Sequence, residues 1–336
     1  MVEERNGLLE PETGAGEPLN AETPREGLVH FITPAELRFV RNHFPVPHAG
    51  RQPALRIGGA VAQPLALSAR DLRELPAVTL TVTTECAGNN RSSMAPPVEG
   101  ENWGSGAVST AQWTGIPLRT LLHKAGLKET AVEVSFGGAD AEYERSLPLD
   151  KALDADTIVA WEMNGEPIPA LFGGSLRLVV PGWYGMASVK WLARIEAREE
   201  PFSGEFQTER YLYAAGAPVA QMRVKSLLTE PASGPVAASE PLVIRGFAWG
   251  GQGGIARVQI AVGSTDHDWR DARLVGPALP HAWRRFELAW TPPWAGRYLL
   301  RSRAIDRSGA TQPDTPQWNE GGYGANAVQE VAVTVK

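Results

Sequence analysis

A single cysteine, Cys86, in 336 residues excludes any disulfide within the chain. The six histidines show no close grouping, which excludes a zinc site built on three or four Cys/His ligands. No apolar run approaches the roughly 18–20 residues that a bilayer-crossing helix requires, so no membrane segment is expected. The N-terminus lacks the basic start and apolar stretch of an export signal, and the expected location is the cytoplasm. Positive charge is scarce as well: Lys and Arg number 32 against 38 Asp and Glu, a net charge of −6. Met1–Gly27 holds seven Glu and two Arg, which leaves the rest nearly neutral. A nucleic-acid footprint is therefore not expected. That acidic segment has too little apolar surface to offset the entropy of ordering, and residues 1–27 read as a disordered tail.

What is present is the composition of a globular protein, 43% hydrophobic and 21% charged, long enough for two domains. Residues 28–216 have a mixed α+β pattern. Thr33 and Pro34 look like the N-cap and first position of a short helix. Ile116–Ala125 carries Leu118, Leu121 and Leu122 at helical spacing, with Gly126 just past its end. Val132, Val134 and Phe136 alternate with polar residues at strand period, and Leu176–Pro181 and the run from Val189 read as strands. From residue 217 to 336 helical periodicity vanishes. Runs such as Leu242-Val-Ile-Arg-Gly-Phe-Ala-Trp and Gly296-Arg-Tyr-Leu-Leu-Arg are separated by Gly, Pro and Asp clusters, the pattern of an immunoglobulin-like sandwich. Its tryptophans, among them Trp249, Trp283, Trp290, Trp294 and Trp318, read as core and interface bulk.

A lone cysteine is most often a small buried hydrophobe. The setting of Cys86 points elsewhere. It follows the strand-like run Val78–Val82, in Thr83-Thr-Glu-Cys-Ala-Gly-Asn-Asn-Arg, at a hand-over from strand to loop where reactive side chains are commonly presented. Ala87 and Gly88 leave room for a bulky group. Asn89, Asn90 and Arg91 offer donors, and Arg91 favours the thiolate. No His with an orienting Asn or Asp is assignable for a cysteine protease. One soft thiolate beside such donors fits a metal whose other ligands come from a cofactor.

Cys86-Ala-Gly-Asn followed by Arg91 resembles the molybdenum-binding loop of the sulfite oxidase family, which includes the plant-type nitrate reductases. So do Arg41-Asn-His-Phe-Pro-Val-Pro, Gly106-Ala-Val-Ser-Thr-Ala-Gln-Trp-Thr-Gly, Glu162-Met-Asn-Gly-Glu-Pro-Ile-Pro, Leu178-Val-Val-Pro-Gly and Ser188-Val-Lys-Trp-Leu. Lys225-Ser-Leu-Leu-Thr-Glu-Pro, Arg245-Gly-Phe-Ala-Trp and Gln317-Trp-Asn continue the likeness in family order over residues 28–335.

The resemblance implies a molybdenum-cofactor domain at 28–216 and a dimerising sandwich at 217–336, hence a homodimer. It implies Cys86 as the metal ligand of a molybdopterin cofactor. Val40, Arg41, Asn42 and His43 line that cofactor, and Asp140, Arg177, Ser188, Val189 and Lys190 hold the pterin and its phosphate. Arg41, Arg91, Trp103 and Tyr211 are the implied catalytic residues, facing a small oxyanion. The implied activity is oxygen-atom transfer, with oxidation of sulfite or a related oxyanion or S-oxide the first reading. Reduction of nitrate or an organic oxide is an alternative, as is a non-enzymatic protein with a degraded site. No haem-binding, flavin or nicotinamide segment is present, so electrons are expected to pass to a separate acceptor such as a c-type cytochrome.

Four positions depart from the family. Glu99 stands where a lysine is expected and Gly321 where an arginine is expected. A cofactor histidine aligns with Phe172 and an arginine with Ala187. The first two changes make the pocket about three charges more negative, each worth roughly 2 kcal/mol to an anion at ~7 Å and an effective dielectric of about 20.

Overall fold

The structure, a computed structural model, describes residues 18–47, 54–140, 143–231, 235–238, 240–263 and 268–336. Two sheets build the first part of the chain. In one, Val78–Glu85, Val108–Pro117, Ile158–Met163 and Glu166–Pro167 lie side by side in antiparallel order, and Arg177–Val179 also pairs with Ile158–Met163. In the other the order is Leu65–Leu67, Leu55–Gly59, Leu192–Arg198, Glu133–Gly138 and Glu144–Pro148. Leu55–Gly59 and Leu192–Arg198 are parallel. Where this pair ends, a Cβ on Gly59 would sit 2.0 Å from the Ala197 carbonyl oxygen, and the residue has φ +79°, so only glycine fits.

The helix expected over Ile116–Ala125 forms over Leu118–Lys124, with Leu118, Leu121 and Leu122 fully buried. Ile116 and Pro117 instead pair with Val159 and Ile158, which keeps them in the preceding strand. At Thr33–Pro34 the expected helix is a single 3-10 turn, Ala35–Leu37. Thr33 does not cap it, because its hydroxyl accepts from the Thr110 N–H of the adjoining sheet. Among the described residues no α-helix exceeds seven residues, and strands dominate the molecule.

Residues 1–17 of the expected acidic tail lie outside the described residues. Residues 18–27 are packed on the body rather than disordered: Asn20–Ala21 pairs with Val40–Arg41, and Glu22 accepts from the N–H groups of Gly104 and Gly106. Those contacts supply what the segment's own composition lacks.

From Lys225 onward two sheets face each other. One runs Lys225–Glu230, Leu242–Trp249, Arg284–Trp290, Arg273–Val275, and the other Pro235–Val236, Gln329–Val335, Gly296–Asp306, Ile255–Val262, Arg270–Asp271. Along Gly296–Asp306 the buried residues are alternate ones, Tyr298, Leu300, Ser302, Ala304 and Asp306, as period-two strand geometry dictates. Tyr298, Leu300 and Ala304 meet Ile244, Val258, Ile260 and Phe286 in a shared apolar core. Trp249, Trp283 and Trp290 are buried as expected, whereas Trp294 and Trp318 are exposed.

The second pair of sheets is fastened to the first near the Val78–Glu85 strand. Trp283 stacks on Phe247 with ring centroids 4.3 Å apart, donates from Nε1 to Phe31 O, and its N–H reaches Thr83 Oγ1. No helix among the described residues is long and apolar enough to cross a membrane.

Candidate active site

The Val78–Glu85 strand delivers Cys86 to its end. There the Cys86 N–H bonds to Ala107 O, and the Asn89 N–H closes a turn on Cys86 O. Phe39, Trp103 and Ala107 pack around the thiol. Below the turn, Glu85 is sealed from water. Its carboxylate accepts from Lys225 Nζ at 2.8 Å, Asn89 Nδ2 at 2.9 Å and Trp249 Nε1 at 2.9 Å. Asn89 Oδ1 in turn accepts from the Ala107 N–H. The strand preceding the cysteine is thus tied to the C-terminal sheets by a buried ion pair with all its close donors engaged.

Burial pushes the Cys86 thiol above its ordinary value, outweighing the Gly88 N–H and the fields of Arg41 and Arg91. Arg91 does favour the thiolate, as expected, but desolvation is the larger effect and the net shift is upward.

The thiol opens into a cleft with about 700 Å³ of free space, counted out to the solvent at its mouth. Arg38, Arg41, Asn42 and His43 form one wall, and Phe172, Arg177, Ser188 and Lys190 another. Asp140, Tyr143, Met186 and Tyr211 complete it. Cations crowd its inner end. Burial and then the neighbouring Arg177 hold Arg38 well below the usual guanidinium range, and burial alone brings Arg177 down to about 10. Lys190 is lowered by burial and by Arg177, Arg38 and Arg41.

On another wall Arg41 Nη2 lies 3.0 Å from His43 Nδ1, and His43 Nε2 lies 2.6 Å from the Tyr211 hydroxyl. A guanidinium cannot accept a hydrogen bond, so Nδ1 accepts and the imidazole proton resides on Nε2. Tyr211 therefore accepts from His43 and keeps its own hydroxyl proton for a group in the cleft. Burial pushes the Tyr211 phenol well above its ordinary range, and it stays protonated. Burial, with Arg41, Arg210 and Lys190 nearby, pushes His43 down to about 3.

That depression fixes a pH dependence. The unfolded chain takes up a proton near pH 6.5 and the folded chain only near 3, so this contribution is complete above about 6.5 and lost as pH falls toward 3. In the cofactor-free chain, denaturant midpoints should fall more steeply below pH 6.5 than in His43→Gln. Parallel curves for the two proteins would refute the assignment.

The family profile described as "Oxidoreductase molybdopterin binding domain" matches residues 43–206, and "Mo-co oxidoreductase dimerisation domain" matches residues 217–336. Sulfite oxidase of Gallus gallus is 37% identical over 339 residues, covering 90% of this chain and 73% of that protein. The chain belongs to the sulfite oxidase family. Mitochondrial sulfite oxidase of Rattus norvegicus is 36% identical over 354 residues, covering 95% of this chain and 64% of that protein. The chain thus spans a little under two thirds of the mammalian relative. The crystal structure of the sulfane dehydrogenase SoxCD from Paracoccus pantotrophus superposes with a TM-score of 0.84 at 32% identity, over 97% of this chain and 89% of that one.

The cleft fits the family's molybdenum cofactor. Arg38 Nε and Nη1, Asn42 Nδ2 and Arg177 Nε are buried donors without a hydrogen-bond acceptor among the described residues. Buried donors normally have acceptors, so a wall of orphaned N–H groups calls for an acceptor-rich, anionic group. Lys190 Nζ donates to Asn42 Oδ1, which fixes the amide with Nδ2 turned away from it. Cys86 supplies a sulfur to the same space.

Of the site residues expected for this family, the fold gathers Arg41, Asn42, His43, Cys86, Asp140, Arg177, Ser188, Lys190 and Tyr211 around one cleft. Val40 and Val189 pack in the surrounding core. Trp103 lies against Cys86. Arg91 is committed elsewhere, donating to Gly321 O from Nε and Nη2 and to Glu101 O from Nη1, with its guanidinium 5.4 Å from the Tyr323 ring centroid. Gly88 permits this, since a Cβ there would lie 2.6 Å from that guanidinium. Glu99 is exposed and does not line the cleft, so its charge is removed from the pocket arithmetic. Gly321 does not line the cleft either: its carbonyl accepts from Arg91, and a Cβ there would lie 2.3 Å from the Tyr323 ring. Tyr323, stacked on Tyr211 with centroids 5.1 Å apart, stands in the way of any larger side chain at 321. Arg38, Tyr143 and Met186 were not expected. Arg38 adjoins the Arg41 motif, a usable signal, but nothing local marks the other two.

Proposed function

We propose that the chain is a molybdenum-cofactor oxidoreductase that adds an oxygen atom to a small sulfur oxyanion, sulfite being the first candidate. Electrons then pass to a separate carrier such as a c-type cytochrome. The observation that carries this reading is the Cys86 sulfur sharing one cleft with Arg41, Arg177 and Lys190. When bound, the cofactor supplies the metal centre at which oxygen is exchanged with the substrate. In this reading Cys86 is the protein's metal ligand. Asn42, Asp140, Arg177, Ser188 and Lys190 hold the pterin and its phosphate, with Val40 and Val189 as apolar supports behind them.

Arg41 is assigned to the substrate anion, because it lines the cleft and its planar fork suits oxyanions. Its contact with His43 Nδ1 keeps the imidazole neutral and turned toward Tyr211. Tyr211 donates its hydroxyl proton into the cleft as a hydrogen bond and does not release it. Arg91 and Trp103 act in this reading on the cysteine's surroundings: Arg91 through its field at the thiol, Trp103 by excluding water. The C-terminal sheets are assigned as an immunoglobulin-like sandwich that forms a twofold homodimer, a role consistent with the profile matched there.

The test is molybdenum and pterin content per chain, in protein from a host that makes the cofactor, followed by sulfite-dependent reduction of a c-type cytochrome. Near one of each per chain with sulfite turnover is expected. Well-folded protein without metal or pterin would overturn the reading.

A further inference from the structure

We infer that Arg38 completes, with Arg177 and Lys190, a three-cation seat for a dianionic phosphate, and stands in for the histidine that Phe172 replaces. This rests on the cofactor reading above, in which the phosphate is that of the pterin.

Arg38 is 2% exposed, and neither Nε nor Nη1 has an acceptor. Its guanidinium carbon lies 5.3 Å from the Trp113 ring centroid, and that of Arg177 lies 5.1 Å from the same ring. One buried indole therefore gathers two cations that repel each other. The turn Ala170–Phe172 places the others: Phe172 O accepts from Arg177 Nη1 at 2.8 Å, and Leu171 O accepts from Lys190 Nζ at 3.0 Å. Phe172 presents its ring to Arg38 at 5.9 Å, where an imidazole would have offered a donor. Among the described residues none of the three cations makes an ion pair, and the acid nearest them by its field on Lys190 is Asp140. Arg41 also bears on Lys190, so four cations face one acid, and this excess of positive charge suits a phosphate monoester dianion.

Unpaired buried cations are strongly unfavourable, and their persistence together marks a place where an anion belongs. The aromatic contacts of Arg38 with Phe39, Trp113 and Phe172 would equally suit an apolar side chain of similar length. A purely structural Arg38 and an anion-binding one therefore make opposite predictions for stability.

The experiment compares wild type, Arg38→Met, Arg38→Lys and Arg38→Met with Phe172→His, all as full-length chains. Pterin per chain is measured after expression with cofactor. Thermal midpoints are measured on cofactor-free protein with and without inorganic phosphate and pyrophosphate. Arg38→Met should melt higher than wild type without anion, bind phosphate at least about ten-fold more weakly, and retain less pterin. Arg38→Lys should recover part of the anion response, and Phe172→His part of the pterin. A lower midpoint in Arg38→Met with an unchanged anion response, or unchanged pterin and phosphate binding, would overturn the proposal. An Arg38-dependent phosphate response in a wild-type chain that never acquires pterin would keep the anion seat and sink the cofactor reading.

Discussion

Cys86→Ser should lower sulfite turnover by at least about a hundredfold, because loss of a direct ligand exceeds the roughly 10–100-fold effect of losing a partner behind it. A serine hydroxyl is a harder ligand than thiolate and does not ionise near neutral pH, so it cannot replace the sulfur. The fold should persist. The side chain is small, 8% exposed, and held by surroundings whose hydrogen bonds come from backbone groups, as in Cys86 N–H to Ala107 O. The measurement is turnover together with metal and pterin content and a melting curve. Wild-type turnover in a folded Cys86→Ser protein would remove the cysteine from the metal.

The second large effect is on stability. Lys225 and Glu85 are each 2% exposed at their side chains and 2.8 Å apart. Lys225→Met would leave the Glu85 carboxylate buried with only Asn89 and Trp249 as donors. Breaking such a pair costs about 3–5 kcal/mol, whereas replacing both partners is often neutral. The apparent melting midpoint of Lys225→Met should accordingly fall by roughly 10 °C, and Glu85→Gln with Lys225→Gln should recover most of it. Cofactor retention should follow the same order, since Asn89 links this pair to Ala107 and hence to the Cys86 turn. Equal midpoints for the single and double variants would show that the charge itself contributes little. On this view the C-terminal sheets also hold the cysteine loop in place.

Much of the site was legible because its residues lie in short contiguous motifs. Arg41, Asn42 and His43 are neighbours, as are Ser188, Val189 and Lys190, and local chain geometry keeps each group together. The strand running into Cys86 and the helix at Leu118–Lys124 were legible from periodicity, which reports which face is buried. Thr33–Pro34 misled because a tertiary partner, the Thr110 N–H, claimed the hydroxyl that a cap would have used. Residues 18–27 misled because composition measures what a segment can bury within itself. The Asn20–Ala21 pairing and the Glu22 bonds draw on a distant surface.

By itself the sequence determined the family, the lone thiol at a strand end and the cationic character of its partners, because each of these is a property of residue identity and short-range order. Only the tertiary structure decided which charges share a space. Arg91, five residues from Cys86, is drawn off to the carbonyls of Gly321 and Glu101, and Glu99 faces solvent. Arg38 meets Arg177 across one tryptophan, 139 positions along the chain. The physical reason is that burial and distance set the strength of every charge in the site, and both are made by contacts between residues remote in sequence.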